Sequence, residues 1–425
     1  MKIHRLPGFI LRRLSSIYLR FAEGISEVRI EGLQTYLDEL EGFKNGSWRL
    51  IIAFRHISKA DAPVLATLFG RIIPRQQRSS PGNREHFWVR FLFGDMVLDW
   101  APAAARWLFP RIGSLPVSNQ KLVRSQVDAI RRVLGEGVHP LCLAPEGQVN
   151  YYNERSGAVT HGVSHFTRWA LSDGPAVKIL PVRIYYEYRN PSRLVGRAVE
   201  DLRVWLLESA SIADGEADTA VADLDGAVSM LLRRLARYLG LEIPDGRDSS
   251  QAGALDTIRT FLLEQARDYC GGEPDRRPIE QLFLYRNEVF RQLRESGMDV
   301  LTISAAIGKG WKQPEQMSPL LLHYQRQQIL DALTNFDPGY HRHGSPPFPV
   351  HSPEGSSPGT GDNRRAEQAL YVMDIINRVR GGDINSRYFP GGTRARVEFY
   401  PALEIRRRQD ADGWIEYWQQ RFNGE

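Results

Sequence analysis

Between residues 48 and 186 short apolar runs alternate with segments of helical period, and this alternation restricts the chain to a layered α/β arrangement. Leu50 to Phe54 reads as a strand and Ala60 to Ile73 as a helix. Lys121 to Leu134 sets Val123, Val127, Ile130 and Val133 on one helical face, and Gly135 and Gly137 end it. Pro140 to Leu143 is a second strand, and Gly162 to Leu171 a further helix. Val177 to Tyr186 carries Val177, Ile179, Leu180, Val182, Ile184 and Tyr185, the strongest strand signal in the chain. With 425 residues there is room for roughly two or three domains, each with its own core.

Beyond residue 200 the character changes. Leu224, Val228, Leu231, Leu235 and Tyr238 keep helical spacing, and further helices are expected over 252–270, 278–297 and 315–334. Residues 337–363 are rich in Pro, Gly and Ser and read as a flexible linker. His341, His343 and His351 lie there, more simply solvated than bound to a metal. A helix near 364–380, a strand over 396–400 and an aromatic helix with Trp414, Tyr417, Trp418 and Phe422 close the chain. The expected organisation is a basic amphipathic segment over 1–47 and an α/β domain over 48–200. A mainly helical region over 201–336, the linker over 337–363 and a helix–strand–helix segment over 364–425 follow.

The formal net charge is +5, which suits an anionic partner such as a phospholipid surface, an acidic carrier protein or a nucleotide. Basic residues are scattered rather than striped, so a nucleic-acid partner is not expected. Cys142 and Cys270 are the two cysteines. They have no zinc spacing and form no disulfide framework, which fits a reducing, cytoplasmic compartment. No stretch of about 18 apolar residues occurs, so no transmembrane helix is expected.

The first twenty residues hold Lys2, Arg5, Arg12, Arg13 and Arg20 among Ile3, Leu6, Phe9, Ile10, Leu11, Leu14, Ile17, Tyr18 and Leu19, with no acid. That pattern suits a helix lying on an anionic bilayer, a transit peptide or a helix packed on the domain. Phe87, Trp88, Phe91, Phe93, Trp100, Trp107 and Phe109, interleaved with Arg90, Arg106 and Arg111, read as a pair of core helices, a membrane interface or an acyl-chain groove.

Two motifs carry chemistry. Arg55-His56-Ile57-Ser58-Lys59-Ala60-Asp61 follows the first strand, and Ala144-Pro145-Glu146-Gly147-Gln148 follows the second. An alcohol is a poor nucleophile near neutral pH and needs a base within reach. His56 is the natural base. Asp61 can take the other ring N–H, fix the tautomer and stabilise the imidazolium. The offset is too long for one helical face, so His56 should precede a helix whose first turn holds Asp61. The Pro-Glu-Gly turn brings a carboxylate and open backbone to the same edge.

Over residues 48–190 the chain resembles the glycerolipid acyltransferase family, lysophosphatidic acid acyltransferase type. The first block is His56 to Asp61, with Ser58 and Pro63 also in place. The third is Ala144-Pro145-Glu146-Gly147-Gln148, and the fourth Ile179-Leu180-Pro181-Val182. The resemblance implies an acyltransferase-type mixed sheet flanked by helices. It implies acyl-CoA or acyl-carrier protein as co-substrate, a lysophospholipid or glycerol phosphate acceptor, and a peripheral place on a membrane. It makes His56 the base and Asp61 its partner, and puts Glu146 and Gly147 at the acceptor site. No metal or resident cofactor is implied. The late segment Arg396 to Ile405 resembles the family's last strand, which would make the helical region an insertion.

The sequence departs from the family at four places. Arg55 stands where Asn is common, Gln148 replaces Thr, and Val149-Asn150 replaces Arg-Ser. In the second block, Gly113 to Asn119, Asn119 takes the place of the phosphate-binding arginine, and Lys121 or Arg124 would have to substitute. Arg155 and a helix opening near Gly157 are further candidates for holding an acceptor phosphate. The alternative is a catalytically weak lipid- or acyl-carrier-binding protein on the same scaffold. The chain has neither a G-x-S-x-G elbow nor a P-loop, which removes the serine-hydrolase and nucleotide-hydrolase readings.

Overall fold

The fold is taken from a computed structural model that describes residues 5–78, 88–101, 103–118, 122–172, 174–210, 221–243, 250–273, 276–298, 303, 317–342 and 360–422. The chain forms two compact units. One comprises Met1–Arg189 and Pro390–Glu425 with the short piece Pro347–Pro349, and the other Asn190–Pro346 and Val350–Phe389.

The first unit is α/β. Its elements are α1 (Arg5–Phe21), β1 (Ile25–Glu31), α2 (Leu33–Lys44), β2 (Trp48–Phe54), α3 (Asp61–Thr67), a π-helical turn (Leu68–Ile72), α4 (Ile73–Arg78), β3 (Arg90–Gly94), α5 (Val97–Trp100), α6 (Ala103–Arg111) and β4 (Leu115–Val117). There follow α7 (Arg124–Glu136), β5 (Leu141–Leu143), α8 (Gly162–Ala170) and β6 (Ala176–Glu187). After the helical unit come β7 (Thr393–Phe399), β8 (Leu403–Ile405) and a last helix (Gly413–Phe422).

These strands form one eight-stranded mixed sheet in the order β1-β7-β6-β2-β5-β3-β4, with β8 paired to β6 beside β7. β6, β2, β5, β3 and β4 run parallel, while β7 and β8 are antiparallel to β6. The runs at β2, β5 and β6 are apolar because both faces of these strands are covered. On one face Ile130, Leu134, Phe166, Trp414, Trp418 and Phe422 join Ile51, Leu141 and Ile179 in a single buried cluster. Tyr36 of α2 stacks on Phe399 at 5.0 Å and meets Phe69 at 5.3 Å. Gly137 closes α7 in the left-handed conformation (φ 60°) that favours glycine, its N–H donating to the Val133 carbonyl.

Pro181 sits inside β6, where a proline normally removes a ladder bond. Here it falls where the partner of β6 changes from β7 to β8, and its carbonyl accepts from the Tyr400 N–H at 3.1 Å. The ring therefore costs the ladder little.

Three expectations are corrected. Residues 1–47 are not a separate segment, since β1 pairs in parallel with β7. Its sequence, ISEVRIE, is largely polar because it is an edge strand, so no long apolar run announces it. The aromatic run is not a helical pair: Phe91 and Phe93 lie on β3, and Phe109 of α6 packs on Phe93 at 5.1 Å. Trp107 alone of the described aromatic side chains there is exposed, with the Arg111 guanidinium 4.7 Å over its ring. Finally, 364–425 is not one segment, because the helix Thr360–Val379 belongs to the second unit.

The second unit is helical. It is built on α9 (Pro191–Ala210), α10 (Leu224–Tyr238), α11 (Gln251–Cys270), α12 (Pro278–Glu295), α13 (Pro319–Thr334) and α14 (Thr360–Val379). Asp223 and Ser250 cap α10 and α11 by accepting from the Gly226 and Gly253 N–H groups. Trp205, Leu235, Ile258, Val289, Ile329 and Ile375 are buried. The core also holds charge, with Asp374 bridged by Arg378 at 3.3 Å and Arg387 at 3.2 Å. The chain enters this unit after β6 and leaves it before β7, so the helical region is an insertion between two neighbouring strands of one sheet. The expected linker over 337–363 is corrected where it is described. Tyr340 is buried, and the His341 side chain is 6 % exposed and bonded to Asp225 at 3.0 Å rather than solvated. Residues 360–363 open the helix Thr360–Val379, while the rest, His343 and His351 included, lies outside the described residues.

Candidate active site

The sheet order itself marks a crevice. β2 and β5 are adjacent and parallel, yet the chain after β2 runs to one side, to β3, and after β5 to the other, to β6. In open α/β sheets the carboxyl ends flanking such a reversal are where ligands bind. The two loops placed there are 55–60 and 144–161, which contain the two motifs.

His56 follows β2 directly, and Asp61 opens α3. The His56 Nδ1 is 2.9 Å from Asp61 Oδ2. The same oxygen accepts from the Ile57 N–H at 2.7 Å and the Ser58 N–H at 2.9 Å. Oδ1 accepts from the Tyr186 hydroxyl at 2.5 Å. Asp61 is fully buried, at a helix N-terminus that favours its charge. The His56 ring is about a quarter exposed, and its Nε2 has no hydrogen-bond partner among the described residues. Ser58 makes the turn: its carbonyl accepts from the Asp61 N–H and its Oγ from the Ala60 N–H. The expected base and its orienting acid are thus brought together, with one nitrogen left open.

Glu146 takes a different place from the one expected. It is buried, and its carboxylate points into the protein rather than lining an acceptor site. Oε1 accepts from the His56 N–H at 3.0 Å, and Oε2 from Asn150 Nδ2 at 2.6 Å and the Gly157 N–H at 2.7 Å. Burial pushes its carboxyl above the usual value, against the Arg55 guanidinium and the Gly157 and His56 N–H groups that hold it charged. Glu146 therefore fixes the backbone of His56. Gly147 turns the chain after Pro145 at a φ of 65°, donating to the Ala144 carbonyl, and the Pro145 carbonyl accepts from Thr160.

Arg55 stands out in the sequence only as a departure from the family, and its task is visible only in the structure. It is fully buried, its N–H donates to the Val182 carbonyl, and its guanidinium is given to the loop after β5. It donates to the carbonyls of Asn153 at 2.6 Å, Tyr152 at 3.0 Å and Arg155, with Glu146 at 3.7 Å and the Phe422 ring at 5.7 Å. Asn150 completes the clamp: its N–H donates to the His56 carbonyl at 2.8 Å and its Nδ2 also to the Arg155 carbonyl. Between these anchors Tyr151 is held at a φ of 60°, a conformation that costs about 1–3 kcal/mol and persists where the surroundings dictate it. The departures at Arg55 and Asn150 signalled a changed residue, and the structure gives both a common task.

The remaining candidates divide. The Arg155 side chain is exposed beside this loop, so it stays near the site. The helix expected near Gly157 begins at Gly162, and the Gly157 N–H is given to Glu146. Lys121 and Asn119 lie outside the described residues. Pro181 and Val182 lie on β6, which carries Tyr186. Among the described residues no group of three or more His, Cys, Asp or Glu is arranged to hold a metal ion.

The last helix buttresses the loop. Trp418 Nε1 donates to Ser156 Oγ, and Trp414 Nε1 to Ser164 Oγ, each at 2.9 Å. Trp418→Phe should cost at least about 1 kcal/mol in urea unfolding, since it strips a buried hydroxyl of its donor. An unchanged midpoint would show that this bond contributes nothing. No family model, no curated protein and no solved structure matches the chain.

Proposed function

We propose that this chain is an O-acyltransferase of the glycerolipid type, its first unit an acyltransferase-type sheet, moving an acyl group from a thioester to a hydroxyl. One observation carries the reading: a part-exposed histidine whose Nδ1 is tied to a buried carboxylate while Nε2 stands open. That is a base held in one tautomer. The donor is acyl-CoA or an acyl-carrier protein, and the acceptor a lysophospholipid, glycerol phosphate or related alcohol. The acceptor hydroxyl gives its proton to His56 Nε2 as its oxygen attacks the thioester carbonyl. Asp61 stabilises the imidazolium. The tetrahedral intermediate collapses, the C–S bond breaks, and the thiolate takes the proton back from His56. Cys142 offers no competing nucleophile, because burial within β5 pushes its thiol well above the usual range. Purified protein supplied with labelled acyl thioester and a panel of lysolipids should yield the diacyl product. If neither donor class gives product with any acceptor, a binding scaffold becomes the better account.

The reading includes a peripheral place on an anionic membrane. Among the described residues no helix is long and apolar enough to cross one. α1 packs on α3 and β1, with Ser15 and Leu19 buried, while Leu14, Ile17, Tyr18 and Phe21 are exposed beside Arg13 and Arg20. Such a face suits the headgroup boundary. Phe21→Glu should weaken co-sedimentation with phosphatidylglycerol-containing vesicles by about tenfold or more, the loss from one large apolar side chain. Equal binding by the variant would remove α1 as the contact.

A further inference from the structure

Tyr186 lies far along the chain from the motif pair, on a strand whose sequence reads only as core. β2 ends at Phe54, opposite Val182, and β6 runs on past it. On the side that β2 has vacated, Asn153 takes over as a substitute strand. Its Oδ1 accepts from the Tyr186 N–H and its Nδ2 donates to the Tyr186 carbonyl, both at 2.8 Å. Asn153 is itself fully buried, and its own carbonyl is held by Arg55 and Arg183. The clamp that fixes the loop after β5 therefore also fixes Tyr186.

The Tyr186 side chain is fully buried and its hydroxyl reaches Asp61 Oδ1 at 2.5 Å. No other donor to that oxygen is present among the described residues, whereas Oδ2 is shared by His56, Ile57 and Ser58. Phenylalanine would fill the same space without a hydroxyl to satisfy, so the oxygen has a task there. Burial, then the Asp61 carboxylate, with Tyr188 and Glu23 adding to them, push the phenol well above its usual range and keep it a donor. Lys59 holds Glu23 from the other side at 3.8 Å.

We infer that Tyr186 is a positioning residue: by holding Asp61 Oδ1 it fixes the rotation of the carboxylate, so that Oδ2 stays aimed at His56 Nδ1 and Nε2 stays aimed at the acceptor. This rests on the acyl-transfer reading for its catalytic meaning, but its structural content does not. With Oδ1 unpartnered the carboxylate is held through Oδ2 alone, by His56 and the Ile57 and Ser58 N–H groups, and its rotation is less restrained.

The test is a proton and nitrogen NMR spectrum of the full-length protein with labelled histidine, comparing wild type, Tyr186→Phe and Asp61→Asn. The signal bound to His56 Nδ1, assigned by its loss in Asp61→Asn, should be displaced or broadened in Tyr186→Phe, with kcat down about tenfold or more and KM little changed. A purely structural role would lower the melting temperature and leave that signal in place. An unmoved signal in folded Tyr186→Phe overturns the inference, whatever the activity. Should Tyr186→Phe fail to fold, 3-fluorotyrosine at position 186 keeps the ring and hydroxyl and strengthens the donor. The His56 signal must then move, and a fixed signal overturns the inference. A moved signal in a protein that transfers no acyl group from any donor leaves Tyr186 as the carboxylate's anchor and refutes the acyltransferase reading alone.

Discussion

His56→Ala should lose acyl transfer by about 10²- to 10⁴-fold, the range a positioned general base contributes. Its melting temperature should stay close to that of wild type. The ring is part-exposed, and the bonds that lock this turn run through the His56 backbone: the N–H to Glu146 and the carbonyl to Asn150. Substitution by alanine keeps both. Asp61 keeps its N–H donors from Ile57 and Ser58 and its bond from Tyr186, so no buried charge is abandoned. Initial rates and a melting curve on the same preparations check the pair of statements. A variant within a few-fold of wild type would remove His56 as the base.

Arg55→Met should have the largest effect on stability, about 3–5 kcal/mol, because it removes one partner of a buried charge pair. The carbonyls of Tyr152, Asn153 and Arg155 lose their shared donor, and Glu146 keeps a buried negative charge without a cation. Burial already raises the Glu146 carboxyl, so the carboxylate is the group least able to tolerate the loss. Adding Glu146→Gln should therefore recover part of the stability, and the two changes should not be additive. Thermal unfolding of the single and double variants measures this. A loss below about 1 kcal/mol, or strict additivity, would contradict the clamp.

The legible parts of the sequence were those where local pattern and tertiary role coincide. β2, β5 and β6 were readable because strands covered on both faces are mostly apolar. His56 and Asp61 were readable because they follow one strand while Pro145-Glu146-Gly147 follows another; a histidine and an aspartate five apart say little alone. β1 was not, because an edge strand carries Glu27, Arg29 and Glu31 to blunt it. The family resemblance puts Glu146 at the acceptor site, and nothing in the sequence corrects it, since a carboxylate in a turn shows only its charge. Its inward direction is set by Arg55, Asn150 and Gly157, which sequence spacing does not bring together. Tyr186 was hidden for the complementary reason. A tyrosine in a strand reads as an apolar body, and its hydroxyl acquires meaning only when β6 is laid beside β2.

The central claim is that a substrate hydroxyl, activated at His56 Nε2, accepts an acyl group directly. The most direct measurement follows free thiol and ester together, with acyl-CoA or acyl-carrier protein as donor, in the presence and absence of a lysolipid. Thiol release that requires the acceptor and matches ester formation one for one is the predicted result. Thiol release that proceeds equally without acceptor, or none with either donor, would contradict it.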